Sequence, residues 1–235
     1  MKPFYCSLLL LFCLTAVAQD VPIEGQKRIF FPYPMDRSWQ VSVGFVSTTM
    51  NRAITEEAHF RVPAGDIHVL KKIAGKVYLD GRVNFQILQN LFMLGPRWAT
   101  PLNSRLSLGL GNDVGYWFGR ISIAGIQTRG SGFQNNPHVS LGYRFKKPIL
   151  LTARAESLMN FGIRTYAGET EVKSSYPLFS GAAFSLLLEQ PFTGNKSMTL
   201  GFRAIATNYQ WQTWTLFENY DRHLFFPQII VGLIL

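Results

Sequence analysis

Apolar and polar residues alternate in several segments along this chain. In the segment MTLGFRA, every second residue from Met198 to Ala204 is apolar, whereas the residues between them are threonine, glycine and arginine. A period of two places neighbouring side chains on opposite faces of an extended chain. Each such segment is about nine to twelve residues long, which is the length of a tilted strand that crosses a bilayer. The pattern therefore predicts β-strands with one apolar and one polar face, and almost no helix.

The alternation predicts ten strands along the chain. A membrane hairpin formed by residues 115–127 would raise the number to twelve, but we expect this segment to extend its two neighbours beyond the membrane. Two strands fit less well: residues 66–72 form a short segment, and Pro96 lacks a ladder hydrogen bond, which favours a bulge or the edge of the span. The predicted strands cover residues 38–48, 65–73, 76–86, 90–99, 104–113, 136–145, 148–160, 178–190, 197–210 and 224–235.

Two features distinguish a membrane barrel from a soluble sandwich, whose strands alternate in the same way. The polar face is rich in Gly, Ser, Thr and Asn with isolated Arg and Glu, which suits a crowded barrel interior. The connections also alternate between tight turns and long loops, as they do in outer-membrane barrels. Tight turns are expected at residues 74–75, 146–147 and 192–196, and long loops at residues 112–136, 161–177 and 211–224.

The C-terminal segment FFPQIIVGLIL supplies a third feature. Apolar residues occupy nearly every second position from Phe225 to Leu235, and the segment resembles the terminal strand of outer-membrane β-barrels, which the barrel assembly machinery recognises. The alternative is the ordinary last strand of a soluble sheet. Together these features predict an all-β fold, a closed antiparallel transmembrane β-barrel over residues 38–235, because closure satisfies every backbone group inside the bilayer.

The N-terminal residues indicate export. Lys2 precedes an apolar run too short to cross a membrane, and Ala16-Val17-Ala18 has the small residues of a cleavage site. We therefore expect residues 1–18 to be a cleaved signal peptide and residues 19–37, which contain three prolines, to form an irregular periplasmic lead. Both cysteines lie in the predicted signal peptide, so disulfides do not hold the exported chain. The predicted location is the outer membrane of a Gram-negative bacterium.

Basic residues outnumber acidic residues by 23 to 14. For an exported chain, this excess favours outer-membrane lipid and lipopolysaccharide as partners, rather than nucleic acid. Basic residues in the predicted loops are candidates for contacts with lipopolysaccharide phosphates, and ordinary solvation is the alternative. They are Arg120, Arg129, Arg164, Lys173 and Arg222.

Three stretches resemble Bacteroidota-type outer-membrane proteins of uncharacterised function. They are DVGYWFG, TYAGETEV and LEQPFTGN, at residues 113–119, 165–172 and 188–195. The resemblance covers most of the exported chain. It implies an outer-membrane barrel and brings no known activity.

Charged residues occupy inward-facing positions of the predicted strands. A barrel of ten strands is largely filled by side chains, so these charges are expected to pair in order to offset their desolvation. Two interpretations are open: a structural network of ion pairs, or a narrow pore or gate that opens when the pairs rearrange. The predicted lumen charges are Asp80, Arg82, Arg144, Arg154, Glu156, Glu189 and Arg203.

Two patterns are weak candidates for catalysis. His138 and Ser140, with Glu156 on the next strand, resemble the His, Ser and Glu set of outer-membrane lipid A deacylases, but Leu141 replaces the asparagine that usually follows that serine. Both side chains are also expected to face the lumen rather than lipid. Asp221 and His223 resemble half of an omptin-type protease site, which additionally needs carboxylates from another loop; Asp113 is one candidate.

Aromatic residues near strand ends are expected at the level of the lipid head groups. These residues are Trp39, Trp98, Tyr143, Phe145, Phe184 and Phe225. Trp117, Trp211 and Trp214 lie in predicted loops, and we expect them to pack between loops rather than to bind sugar or a partner.

The sequence supports neither a cofactor nor a metal site. GLGNDVG lacks the strand and helix of a dinucleotide site, and the four histidines are scattered. We therefore predict an integral outer-membrane barrel without catalytic activity, in a structural or surface-interaction role. The alternatives are a narrow pore for small solutes and a membrane enzyme similar to lipid A deacylases.

Overall fold

The computed structural model of the chain describes residues 23, 25–55, 61–123, 125–146, 148–172, 177–216 and 220–235. Residues 1–18 and Lys173, on which sequence predictions were made, lie outside these ranges. Ten long strands form one closed antiparallel barrel, and a three-residue strand, β8, adds to its rim. The strands are β1 (Trp39–Thr49), β2 (Arg61–Ala74), β3 (Val77–Phe85), β4 (Gln89–Pro101), β5 (Leu106–Ile123), β6 (Ile126–Arg144), β7 (Leu150–Ala167), β8 (Thr170–Val172), β9 (Phe179–Pro191), β10 (Ser197–Thr207) and β11 (Leu224–Ile234).

Each long strand pairs with its neighbours in the sequence, and β1 pairs with β11 to close the wall. The predicted barrel of ten strands is thereby confirmed, and the alternative of twelve is wrong. A four-residue helix, α1 (Arg52–Thr55), and a 3-10 helix, Trp211–Leu216, are the helical segments of the described residues. Within those residues, no helix combines the length and the apolarity needed to cross a membrane.

The two ends of the barrel differ in their connections. Both ends of the wall, Trp39 and Ile234, lie at what we call the proximal end, where the turns between strands are short. Gly75, in the turn between β2 and β3, has a φ of 50°, a conformation that glycine adopts without a steric penalty. The opposite end, called the distal end, carries the β10–β11 loop and the longest strands.

The segment between residues 112 and 136 is strand rather than loop. β5 and β6 stay paired from Leu106 and Tyr143 as far as Ile123 and Ile126. The segment 115–127 therefore extends its neighbours, as predicted, and the expected long loop at 112–136 is wrong. β7 likewise continues to Ala167 and pairs with β8. We call residues 115–123, 126–134 and 161–167 of these strands the distal extension.

The two faces of the strands follow the predicted alternation. Large apolar side chains such as Phe45, Leu94 and Phe202 are about half exposed on the outer face, while Ser42, Thr152 and Thr199 are buried inside. An uninterrupted apolar outer surface of this kind requires hydrocarbon around it. The predicted aromatic residues lie near strand ends, except for Phe184, which is exposed in the middle of β9.

Two weak strand predictions have a clear outcome. β2 begins at Arg61, four residues earlier than predicted. The prediction missed this start because Pro63 interrupts the alternation, although Pro63 is paired with Ser47 in the structure. Pro96 lies inside β4, opposite Leu79, and interrupts the β4–β5 ladder without changing its register. The expected bulge or edge position at Pro96 is therefore wrong.

Candidate functional site

The inside of the barrel is filled in three layers. N-terminal residues 25–35 form a proximal plug, a set of ion pairs forms a charged layer in the middle, and residues 209–214 form a distal cap. The plug and the cap are not part of the strands. The charged layer consists of side chains that project inward from the strands of the wall.

The proximal plug, residues 25–35, belongs to the predicted N-terminal lead. We expected residues 19–37 to be irregular and periplasmic; residues 25–35 are irregular, but they fold into the barrel. Ile29 and Phe31 are only 0% and 2% exposed. Ile29 and Phe30 pack against inward-facing residues from several strands, including Leu70, Tyr78 and Leu187. The apolar run Ile29 to Phe31 explains this burial, because these side chains leave water on entering the lumen.

Two charged side chains hold the proximal plug by its backbone. The Glu189 carboxylate accepts hydrogen bonds from the N–H groups of Ile29, Phe30 and Phe31 at 2.7, 3.0 and 2.8 Å. The Arg97 guanidinium donates to the carbonyl oxygen of Ile29 at 2.6 Å and to that of Phe30. Glu189 lies on β9 and Arg97 on β4, which are well separated around the wall. The plug is therefore tied to two sides of the barrel through charge-assisted hydrogen bonds.

A third charge acts within the plug itself. The Arg28 guanidinium donates to the carbonyl oxygens of Ile23, Gln26 and Pro34, which fixes the irregular path of the segment. Burial lowers the pKa of Arg28 from its ordinary value, and the nearby Glu189 carboxylate opposes this shift. The plug therefore contains its own cation next to the carboxylate that binds its backbone.

Among the described residues, the charged layer consists of three groups of ion pairs. Arg154 bonds to Asp113 and Glu156, each at 2.8 Å, and Glu156 also binds Arg203. On the other side of the lumen, Arg82 pairs with Asp66 at 2.6 Å. Asp80 contacts His68 and, at 3.5 Å, Arg97, the residue that also holds the plug. The buried charges thus meet partners of opposite sign, as their desolvation requires.

The structure brings together five of the seven predicted lumen charges: Asp80, Arg82, Arg154, Glu156 and Arg203. Glu189 faces inward but binds the plug backbone instead. Arg144 is half-buried near the proximal end, and no ion pair found in the described ranges includes it. The predicted lumen charges did not include four further residues of the charged layer: Asp66, His68, Arg97 and Asp113. Continued alternation through the segments at 66–72, 92–98 and 104–113 places all four on the inner face.

The distal cap closes the other end of the lumen. Trp214 is 1% exposed and packs in a cluster with Trp117, Tyr209 and Trp211. Glycines of β5 and β6 make room for its indole ring: a Cβ at Gly130 would come within 2.8 Å of Trp214 Cε3. Of the three tryptophans expected in loops, Trp117 lies on β5 instead, and Trp211 and Trp214 lie on the 3-10 helix; all three belong to this cluster.

A small polar cavity separates the plug from the cap. It has a volume of about 40 Å³, enough for a few water molecules. Its lining includes Phe30 of the plug, Arg82, Arg154 and Glu156 of the charged layer, and Gln212 of the cap. In this conformation, the described residues leave no room in the middle of the lumen for a solute much larger than water.

The candidate catalytic pair lies inside the barrel. His138 Nδ1 is 3.2 Å from the Asn136 carbonyl oxygen and 3.1 Å from an Arg154 guanidinium nitrogen. Ser140 is also buried, and no hydrogen bond within the described part of the chain joins it to His138. A histidine that activates a serine needs this bond and access to the substrate. The geometry therefore gives no support to a lipid A deacylase site.

The other candidate sites are dispersed. Asp113 is buried with Arg154, whereas Asp221 and His223 are exposed in the β10–β11 loop, so the omptin-type set does not form. Among the residues with described positions, no three His, Cys, Asp or Glu side chains are arranged to hold a metal ion.

Comparisons with known proteins connect the chain to other barrels only by shape. No family model and no curated protein sequence matches it. The KdgM porin is 10% identical, with a TM-score of 0.39, over 82% of this chain and 97% of that chain. The NanC porin is 8% identical, with a TM-score of 0.41, over 83% and 98%. The P. putida toluene transporter TodX is 10% identical, with a TM-score of 0.35, over 86% and 70%.

These similar structures are outer-membrane barrels that act as porins or transporters. At identities and TM-scores of this size, the likeness assigns neither a solute nor a role to this chain. The predicted membership of a Bacteroidota-type family remains a prediction.

Proposed function

We propose that this chain is an outer-membrane channel for small polar solutes, held closed by the proximal plug and the distal cap. One observation carries the proposal: both blocking segments are irregular or 3-10 helical, and the wall is closed by strand pairing without either of them. Moving a segment that is not part of the wall opens a lumen at no cost in ladder hydrogen bonds.

The outer membrane is the location that best fits the surface of the barrel. The apolar outer belt faces hydrocarbon, and the proximal end, with both ends of the wall and the short turns, faces the periplasm in this arrangement. β11 ends the wall with exposed Phe225, Ile229 and Val231 on its outer face, which suits recognition by the barrel assembly machinery.

The charged layer indicates the class of solute. Arginine and carboxylate side chains from several strands meet in the middle of the lumen, so an opened path presents both signs of charge there. Such a lining favours small polar or zwitterionic solutes over apolar ones.

Planar-bilayer recordings test the channel. We compare the full chain with a variant that lacks residues 25–35 and in which a glycine-serine linker of the same length replaces residues 209–214. We expect stepwise conductance to rise in this deletion variant because neither the plug nor the cap then fills the lumen. Heat-modifiable migration on a gel is the control that both barrels are folded. A folded deletion variant that conducts no better than the full chain contradicts the channel.

A structural or surface-interaction role is the second candidate. The cavity of about 40 Å³ and the paired charges favour it, because a barrel filled in this way resembles a packed core. The same recordings separate the two roles, since a structural barrel stays silent after both the plug and the cap are removed.

A further inference from the structure

Three arginines converge on the outer face of the distal extension. Arg120 of β5 and Arg129 of β6 are direct cross-strand partners, and both are exposed. Arg164 of β7 lies across from Ser131, two residues from Arg129 along β6. Like charges in direct opposition destabilise a strand pair. No ion pair within the described residues neutralises any of the three, so a bound anion from outside the chain would offset their repulsion.

A bulge in β7 brings Arg164 to this face. The register between β6 and β7 shifts near Gly162, whose φ of 59° favours glycine. Phe161 before the bulge and Arg164 after it both face outward, while Thr165 is buried. Without the extra residue, Arg164 would follow the inward face. The bulge therefore places the Arg164 side chain on the outer surface.

Two of the three arginines border one depression in this surface, and Arg120 borders the adjoining one. Arg129, Arg164, Phe118 and Tyr166 border a depression of about 390 Å³. The Arg129 guanidinium carbon lies 4.3 Å from the centre of the Tyr166 ring, a cation–π contact that orients it. Glu169 borders the adjoining depression with Arg120 and Arg129 but forms no ion pair found in the described chain. The guanidinium groups keep donors free for a planar or tetrahedral anion.

An apolar groove lies beside the arginines and closer to the proximal end, mainly on β2 to β5. Outward-facing side chains such as Ile67, Phe92 and Leu94 line most of it, and its volume is about 440 Å³. Gly81 deepens it, since a Cβ there would meet its nearest neighbour, a Leu94 carbon, only at 3.5 Å. Tyr116 and Phe133, whose ring centres are 5.0 Å apart, form its upper border. Arg120 is four residues beyond Tyr116 along β5, a distance of about 13 Å for a strand.

We infer that this outer face binds one molecule of lipopolysaccharide, with a lipid A phosphate on Arg120, Arg129 and Arg164 and an acyl chain in the groove at Gly81. The inference rests on the outer-membrane location proposed above. Three adjacent cations suit a phosphomonoester, which carries a charge of about −1.5 to −2, better than the single charge of a phospholipid diester. The distal position suits a lipid of the outer leaflet.

Lipid titration of the purified barrel in detergent tests the site. The probes are lipid A with its phosphates, dephosphorylated lipid A, phosphatidylglycerol and inorganic phosphate. We expect phosphorylated lipid A to bind most tightly and the R120A/R129A double variant to bind it about ten- to a hundred-fold more weakly, since charge-assisted bonds to phosphate are lost. R105A, in the exposed proximal turn between β4 and β5, is the matched control with unchanged affinity.

Two further variants separate the contributions of the phosphate and of the acyl chain to the affinity for lipid A. Gly81→Leu fills the groove without a backbone clash and is expected to weaken lipid A binding several-fold. Arg164→Ala serves as a second charge variant if the double variant does not fold on a heat-modifiability gel. Equal binding of phosphatidylglycerol and lipid A, or undiminished lipid A binding by a folded arginine variant, overturns the inference. Neither outcome depends on whether the barrel conducts.

Discussion

At the residue scale, Glu189 is the side chain on which the proximal plug most depends. Its carboxylate accepts hydrogen bonds from three consecutive backbone N–H groups of the plug. Alternation along β9 predicts that Glu189 faces inward, but it cannot reveal the partner, because that partner is about 160 residues away in a segment without periodicity. The same limit applies to Arg203 and Glu156, whose strands are separated by β9.

Glu189→Gln is expected to loosen the plug. The amide replaces one acceptor oxygen by a donor that faces N–H groups, so charge-assisted hydrogen bonds worth about 1.5–3 kcal/mol each are lost. In a Phe31→Cys background, labelling by a hydrophilic maleimide should become at least about ten-fold faster. Glu171→Gln, at an exposed position of β8, is the matched control. Equal labelling rates in both variants would show that Glu189 does not hold the plug.

At the element scale, strands were easier to predict than the segments that fill the barrel. Alternation continues through residues 115–127, and the extension of β5 and β6 follows from it. The distal cap has no such pattern, and its place depends on glycines that read as ordinary turn or strand residues. The reason for glycine at positions 119 and 130 is visible only in the structure, where the β10–β11 loop packs Trp214 against both residues.

Gly130→Val is therefore expected to displace the distal cap. The added side chain overlaps the Trp214 ring, and overpacking of this kind costs about 1–3 kcal/mol. Hydrogen exchange of residues 209–216, measured by mass spectrometry, should become about ten-fold faster while exchange in β9 is unchanged. Gly81→Ala adds a Cβ where there is space and is the control. Unchanged exchange in the Gly130 variant would place the cap elsewhere.

At the scale of the whole molecule, the pairing of β1 with β11 decides whether a barrel exists. Ser42 to Thr48 pair with Gln228 to Ile234, and Leu235 N–H also bonds to the Val41 carbonyl oxygen at 2.9 Å. Without this seam the sheet has two free edges, which hydrocarbon cannot satisfy.

Deletion of residues 224–235 is expected to abolish the mobility difference between boiled and unboiled samples on a gel, because the wall no longer closes. Deletion of residues 25–35 is the contrasting variant and should retain the difference, since the plug contributes no strand to the wall. A truncated chain that keeps the mobility difference would contradict the strand order described here.

The position of the plug also determines when its residues reach their final contacts during synthesis and folding of the barrel. The run Ile29 to Phe31 leaves the ribosome before any of the ten wall strands, yet its anchors on β4 and β9 follow by 67 and 160 residues. On the outer-membrane location proposed above, these apolar residues lack their native contacts while the chain crosses the periplasm and can bind chaperones there. Enclosure comes only when the last strand meets the first, so the earliest-made part of the barrel is among the latest to reach its final contacts.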